Sequence, residues 1–157
     1  MNKVKLKRQL EVHEGKRLDA YTCPGGCLTI GVGRNLEANP ATDELGREIN
    51  QVGVKITEEE AHLLLDHDID RFTSEVRSNI PQFESLSEPR QHVLIDMAFN
   101  LGTEGLLDFG RMLGAMHRGD FATAADEMLD STWAKQVKSR AARLASMMRD
   151  DKDFEAA

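Results

Sequence analysis

No stretch of this 157-residue chain is apolar for the roughly 18 residues that a helix needs to cross a bilayer. Nor does its opening, MNKVKLKRQLEVHEGKR, contain the apolar core of a secretory signal peptide. Stable membrane insertion is therefore not expected, and the chain should be made and folded in the cytoplasm. An excess of positive charge is also missing. Twenty basic residues face 27 acidic ones, and the net charge of −7 opposes non-specific attraction to nucleic acid or to an anionic lipid surface. Two cysteines cannot make the disulfide framework of a small secreted domain, and a chain able to bury roughly 70% of its unfolded surface does not need one. The histidines at 13, 62, 67, 92 and 117 show none of the paired spacings of a zinc site, so neither a metal nor an organic cofactor is implied. Internal repeats and low-complexity segments are absent. These absences leave one domain of ordinary size, or one core divided between two lobes, with a monomer as the default state.

What is present reads as mostly helical with one small β region. Val4, Leu6 and Leu10 recur at loose helical spacing and Gly15 supplies a stop, which predicts a short opening helix ending at Glu14. From Leu18 to Val32 the pattern nears alternation, and Pro24, Gly25 and Gly26 punctuate it, which predicts a β-hairpin turning there. Residues 34 to 56 read as a loop with one short helix near 43–48. Thr57 with Glu60 forms a capping box, and Ala61, Leu64, Leu65, Ile69, Phe72 and Val76 continue it as an amphipathic helix to residue 78. Such a helix, roughly 30 Å long at ~1.5 Å per residue, can join two lobes. Beyond it, Ser87 is expected to cap a helix that carries Pro89 in its first turn and ends at Gly102. Three further helical patterns follow, at Leu106–Met116, Ala122–Leu129 and Val137–Met148, with interruptions at Gly119–Asp120 and Ser131–Trp133. The last residues, DDKDFEAA, are expected to fray.

Chemistry concentrates in EGKRLDAYTCPGGCLTIGVG, residues 14 to 33. Glu14 sits at the junction of helix and hairpin, where a carboxylate can be either simply exposed or turned into a cleft. Cys23 and Cys27 flank Pro-Gly-Gly on opposite arms of the turn, a spacing compatible with a local bridge, half of a metal site, or a reactive thiol with a neighbour. Thr29 alone reads as an ordinary strand residue. Gly31 and Gly33 leave room for a close approach of backbone or ligand. A phosphate-binding loop is excluded, because no Gly-Lys-Ser or Gly-Lys-Thr follows the glycines.

Glu14, eight residues, Cys23, five residues and Thr29 together resemble the Glu, Asp or Cys, Thr triad of the T4-type phage lysozymes, the endolysins of glycoside hydrolase family 24. EGKRLDAY is similar to that family's EG-x-RL-x-x-Y signature and TIGVGRNL to its TIG-x-G-(H/R)-x-L strand. FNLGTEGLLDF and STWAKQVKSRAARLASMMR extend the resemblance over residues 4 to 149. It implies an α+β, predominantly helical, two-lobed lysozyme-like fold. The β-containing lobe would be residues 15–56, the connecting helix 57–78, and the helical lobe 1–14 with 79–157.

Residue by residue, the resemblance implies that Glu14 is the general acid and that Arg140 holds it in place. Cys23 stands where many members carry aspartate and would act as thiolate base, as nucleophile, or as the polarisable neighbour of a water held by Thr29. Asn100 would face the sugar, Gly31 would allow close approach, and Trp133 would pack beneath the C-terminal helix. Burial of Glu14 would raise its pKa and a nearby arginine would lower it, two opposed effects that sequence does not weigh. The implied reaction is hydrolysis, with inversion, of the β-1,4 bond between N-acetylmuramic acid and N-acetylglucosamine in peptidoglycan. The implied setting is a phage or prophage endolysin that accumulates in the host cytoplasm and is released to the periplasm through a holin. Two rivals remain, a lytic transglycosylase, which needs one acid and no water, and a non-catalytic glycan-binding or tail module on the same scaffold.

Overall fold

A computed structural model describes residues 1–155. The chain divides into two compact units, Lys7–Arg71 and Met1–Leu6 together with the chain from Phe72 onward, and the division falls within the first helix and within the third. The α+β, predominantly helical class expected from the sequence is what the backbone forms, with eight α-helices and three strands among the described residues.

In the unit Lys7–Arg71, helix α1 (Lys3–Glu14) leads into strands β1 (Arg17–Thr22), β2 (Leu28–Gly31) and β3 (Arg34–Asn35). They form an antiparallel sheet in the order β1-β2-β3, with Tyr21 opposite Thr29 and Thr29 opposite Asn35. The expected hairpin is there, and the two-residue β3 adds a third strand that its length hid from any alternation test. The outer edge of β1 is not left open. Ala20 and Ile56 donate backbone N–H bonds to Val54 and Leu18 at 2.8 and 2.7 Å, so residues 54–56 cover it. One face carries Ala20 and Ile30 into a core with Leu36, Ile49, Ile56, Ala61 and Leu64. The alternation of strand side chains leaves Tyr21, Thr29 and Asn35 on the other face. The short helix expected near 43–48 is α2 (Thr42–Leu45), closed by Gly46 in a left-handed conformation.

Helix α3 (Glu58–Asn79) starts as the capping box requires. Thr57 N–H donates to Glu60 Oε1 at 2.9 Å, and Glu60 N–H to Thr57 Oγ1 at 3.1 Å. Glu60 also takes both arms of Arg47, and the Arg47 hydrogen bond, followed by the one from the Thr57 backbone, holds its carboxyl down at about 2.

The second unit contains α4 (Glu88–Leu107), α5 (Gly110–His117), α6 (Phe121–Leu129), α7 (Thr132–Val137) and α8 (Ser139–Asp150). Helix α8 packs chiefly on α6, and also on α4 and α7. Helix α6 buries Ala124, Ala125 and Met128, and α8 buries Ala141, Leu144, Ala145 and Met148, small residues that admit close approach and long ones that fill the remaining space.

Four local expectations are corrected here. Ser87 occupies the N-cap position of α4 with extended dihedrals, yet its buried hydroxyl makes no capping hydrogen bond. Gly102 (φ 76°, ψ 159°) breaks the helix but does not end it, since helical turns resume to Leu107. The pattern Leu106–Met116 is split at Asp108–Phe109, where the chain re-enters helix at Gly110. Ser131–Trp133 is a helix start rather than an interruption: Ser131 Oγ accepts the Ala134 N–H at 3.1 Å, and the true break is Lys138 at φ 49°. Apolar periodicity carries on across a single non-helical residue, so pattern alone misplaced that boundary. Of the tail expected to fray, Asp153 is tied to Lys5 at 2.8 Å, and residues 156–157 lie outside the described residues.

Candidate active site

Helix α1 stops because Gly15 turns left-handed at φ 75°, with its N–H on the Glu11 carbonyl at 2.9 Å. This leaves Glu14, half-buried, at the helix end. Its carboxyl lies against the backbone of Gly33. A Cβ at Gly33 would come within 2.6 Å of Glu14 Oε2 and 2.9 Å of its Cδ, and the backbone there has φ 66°. Glycine is thus required at 33 by both space and conformation.

The turn between β1 and β2 is a three-residue loop. Gly26 N–H donates to Cys23 O at 2.8 Å, closing a β-turn with Pro24 at its second position, and Gly26 takes φ 90°. Cys23 N–H then donates to Cys27 O at 2.8 Å, while Cys27 N–H is aimed at Cys23 Sγ, 3.2 Å away. That backbone donor is the main reason the Cys23 thiol is held below the usual thiol range, with burial opposing and the Gly25 N–H and Thr29 hydroxyl assisting. Cys27 moves the other way, pushed up by its hydrogen bond to Cys23 and by that neighbour's charge. Thr29 is buried, and its hydroxyl donates to Cys27 O at 3.1 Å. One hydroxyl proton serves one acceptor at a time, so it is divided between the Cys27 carbonyl and the Cys23 sulfur, and in either orientation the oxygen's lone pairs can accept from a donor such as water.

Two residues missed in the sequence join this group. Tyr21 lies within electrostatic reach of both Glu14 and Cys23. Burial pushes its phenol up, Arg17 opposes, and the charges of Glu14 and Cys23 reinforce the rise. The Arg17 guanidinium stacks 4.2 Å over the Tyr21 ring. Asn35, opposite Thr29, reaches the Cys27 thiol while its Oδ1 accepts the Glu37 and Ala38 N–H groups at 2.9 and 3.2 Å. The period-2 rule could have found Tyr21, two residues before Cys23; no pattern pointed to Asn35.

A buried polar cluster stands behind Gly33. Arg34, almost wholly enclosed, donates to both oxygens of Glu44 at 2.5 and 2.7 Å, to Asn39 O and Oδ1 at 3.0 and 3.1 Å, and to Pro40 O at 2.9 Å. Asp68 lies 3.5 Å from it and accepts from Asn39 at 2.8 Å. Burial pushes Asp68 up, while for Glu44 burial is outweighed by Arg34 and His67, which carry it below its ordinary value. The cluster fixes the chain that follows the turn facing Glu14.

The remaining expected residues fall into distinct surroundings. Gly31 is buried at φ 63°, and a Cβ there would meet Ile56 and Ala61 at an ordinary 3.9 and 4.0 Å, so the left-handed backbone and not a lack of space calls for glycine. In the other unit, Arg140 is buried and paired with fully buried Asp96, Nε to Oδ1 at 2.9 Å and Nη2 to the same oxygen at 2.8 Å. Trp133 is buried too, donating its indole N–H to Asn100 Oδ1 at 2.7 Å and meeting Phe109 edge-on at 5.8 Å. With Phe109 and Met112 it lines a cavity of about 510 Å³ bordered by Arg111, Glu127 and Asp130. Among the described residues no group of three metal-ligating side chains exists.

The sequence profile of the phage lysozyme family matches residues 11–149. The chain is 32% identical over 156 residues to the pre-baseplate central spike protein Gp5 of Enterobacteria phage T4, covering 91% of this chain and 27% of that protein. It is 27% identical over 157 residues to probable T4-type lysozyme 1 of Dictyostelium discoideum, covering 91% and 92% of the two chains. An endolysin of Acyrthosiphon pisum secondary endosymbiont phage 1 is 27% identical over 123 residues, with 78% and 73% covered.

Proposed function

The chain belongs to the phage lysozyme family, and from that premise we propose that it is a muramidase, hydrolysing the β-1,4 bond between N-acetylmuramic acid and N-acetylglucosamine in peptidoglycan. The observation that carries the reading is Glu14 pressed against Gly33 at a helix end, in the same unit as a sheet face bearing Tyr21, Cys23 and Thr29. Breaking an acetal needs a proton donor at the leaving oxygen and a water, or a nucleophile, on the opposite face of the sugar. Glu14 supplies the proton. Thr29 orients the water through its free lone pairs, and Cys23, with its thiolate favoured by the Cys27 and Gly25 N–H groups, accepts the proton that water loses. Direct displacement by water inverts the anomeric centre. In the second unit Arg140 is anchored on Asp96 and Asn100 is held by the Trp133 indole, and the family resemblance gives both a supporting role.

A phage or prophage endolysin, held in the host cytoplasm until a holin releases it, is the setting we propose for this activity. The 32% identity to the T4 spike protein, of which the chain spans 27%, favours a second setting, a lysozyme module within a tail assembly. The chemistry is the same in both. Mass analysis of fragments released from purified peptidoglycan by the wild type and by Glu14→Gln tests it. Hydrated muramic acid ends, reduced by about 10²-fold or more in the variant, are expected for loss of a general acid. Anhydro ends would assign a lytic transglycosylase instead, and no fragments from either protein would assign a binding module.

A further inference from the structure

The Cys27 thiol enters the hydrolysis just described only through its hydrogen bond to Cys23, against which the turn holds it. The reciprocal contacts, Cys23 N–H to Cys27 O at 2.8 Å and Cys27 N–H to Cys23 Sγ at 3.2 Å, place the two residues face to face across the loop. The two thiols also lie within hydrogen-bonding reach of each other, which leaves only a small approach to an S–S bond, whose Cα atoms stand ~4.4 to 6.8 Å apart. Both thiols are free and only half-buried, so a small reagent can reach them. The intervening Pro24, Gly25 and Gly26 are exposed and pack on little else, which lets the loop adjust without disturbing the core.

We propose that Cys23 and Cys27 are a redox modification site, at which exchange with a small-molecule disulfide closes a reversible bridge and withdraws Cys23 from the catalytic group. The consequence for activity rests on the hydrolase reading above; the thiol chemistry does not. In the first step the Cys23 thiolate attacks one sulfur of the oxidised reagent, giving a mixed disulfide and one thiol after protonation. Cys27 then loses its proton and attacks Cys23 Sγ, expelling the second thiol. Two protein thiols are oxidised and one disulfide is reduced to two thiols.

The order of attack follows from the site. Cys23 is the residue whose thiolate is favoured. Its capture removes the charge that pushes Cys27 up, which frees Cys27 to act second. Once bridged, Cys23 Sγ carries no charge and cannot accept a proton from a water at Thr29.

The full chain is equilibrated in glutathione buffers from fully reduced to fully oxidised, quenched with acid and digested for peptide mass, with peptidoglycan hydrolysis measured on the same samples. The expected result is a peptide linking Cys23 and Cys27, lighter by two hydrogens, that appears together with a fall in activity of about 10²-fold, the scale of a lost base, and disappears with recovery on reduction. Cys27→Ser should keep its reduced activity and stop at a glutathione adduct on Cys23. Absence of the bridge at the oxidised end overturns the proposal, as does a bridged protein of undiminished activity. A reduced wild type that releases no fragments sinks the hydrolase reading instead, and the redox site is then decided by the bridge alone.

Discussion

The two units of this chain are held together by different means. Among the described residues, six of the eight glycines with positive φ, at 15, 26, 31, 33, 46 and 53, lie in the unit Lys7–Arg71, and only Gly102 and Gly119 lie in the other. The same unit contains the enclosed Arg34–Glu44–Asp68 cluster and a modest apolar core. The helical unit relies on packed Ala, Leu and Met side chains of α4, α6 and α8. Backbone conformation thus shapes the part that carries Glu14, Cys23 and Thr29, and side-chain volume stabilises the part that carries Arg140. A site whose atoms must be placed to within fractions of an ångström gains from glycines and buried ion pairs, because these fix geometry more sharply than interchangeable apolar contacts do.

Substitutions can break that contrast. The largest effect on stability is expected in the helical unit: Leu144, fully buried in α8, should lose about 2–5 kcal/mol on change to alanine, with turnover per folded molecule unchanged. Chemical denaturation paired with active-site-normalised rates checks both halves, and a fall in turnover equal to that of Glu14→Gln would erase the distinction.

Gly33→Ala should behave in the opposite manner. Its left-handed backbone costs about 1–3 kcal/mol for a residue with a Cβ, and the added methyl collides with the Glu14 carboxyl, so activity should fall well beyond the loss of folded protein. Gly119→Ala is the matched control. It has φ 75° but nothing within 4 Å of the new Cβ, so it should show the conformational cost alone with full turnover. Equal activity in the two variants would remove the claim that Gly33 shapes the acid.

Smaller still is the cap of α3, where Thr57→Ala should cost about 1 kcal/mol by denaturant midpoint, since one of the two reciprocal hydrogen bonds goes. The smallest expected effect is a pH dependence that belongs to the helical unit. Burial holds His92 below its usual 6.5; Glu88, 3.7 Å away, and Asp153 oppose this, whereas the N-terminus and Lys5 add to it. The unfolded chain therefore takes up the proton first. Stability is full above about pH 6.5 and declines as pH falls through the interval down to the depressed folded value. Thermal midpoints compared at pH 7.5 and 5.5 should drop less in His92→Gln than in wild type, and parallel drops would show that another group is responsible.

Elements bounded by strong local signals were legible in the sequence. Gly15 ends α1 where expected, Thr57 and Glu60 form their box, and the Pro-Gly-Gly turn joins β1 to β2. Boundaries in the second unit were less so. The apolar repeat of 137–148 continues through Lys138, whose positive φ no composition announces, and Ser131, which reads as a break, is a cap. In the site, the spacing of Glu14, Cys23 and Thr29 was visible because those residues lie on one local segment. Asn35 and Arg34 were not, because Asn35 matters through its register with Thr29 and Arg34 through partners ten and 34 positions away.

The sequence by itself determined the local features of this protein: helix stops, turn, capping box, the absence of a membrane-spanning run, and the placing of Glu14, Cys23 and Thr29 on one short segment. These depend on neighbours within a few positions, where covalent connectivity already limits geometry. Tertiary structure alone decided that Glu14 rests on Gly33, that the Cys27 N–H is aimed at the Cys23 sulfur, and that Arg34 is buried among carboxylates. Such contacts are selected by packing of the whole unit, because a charge or thiol takes its properties from whatever atoms displace its water.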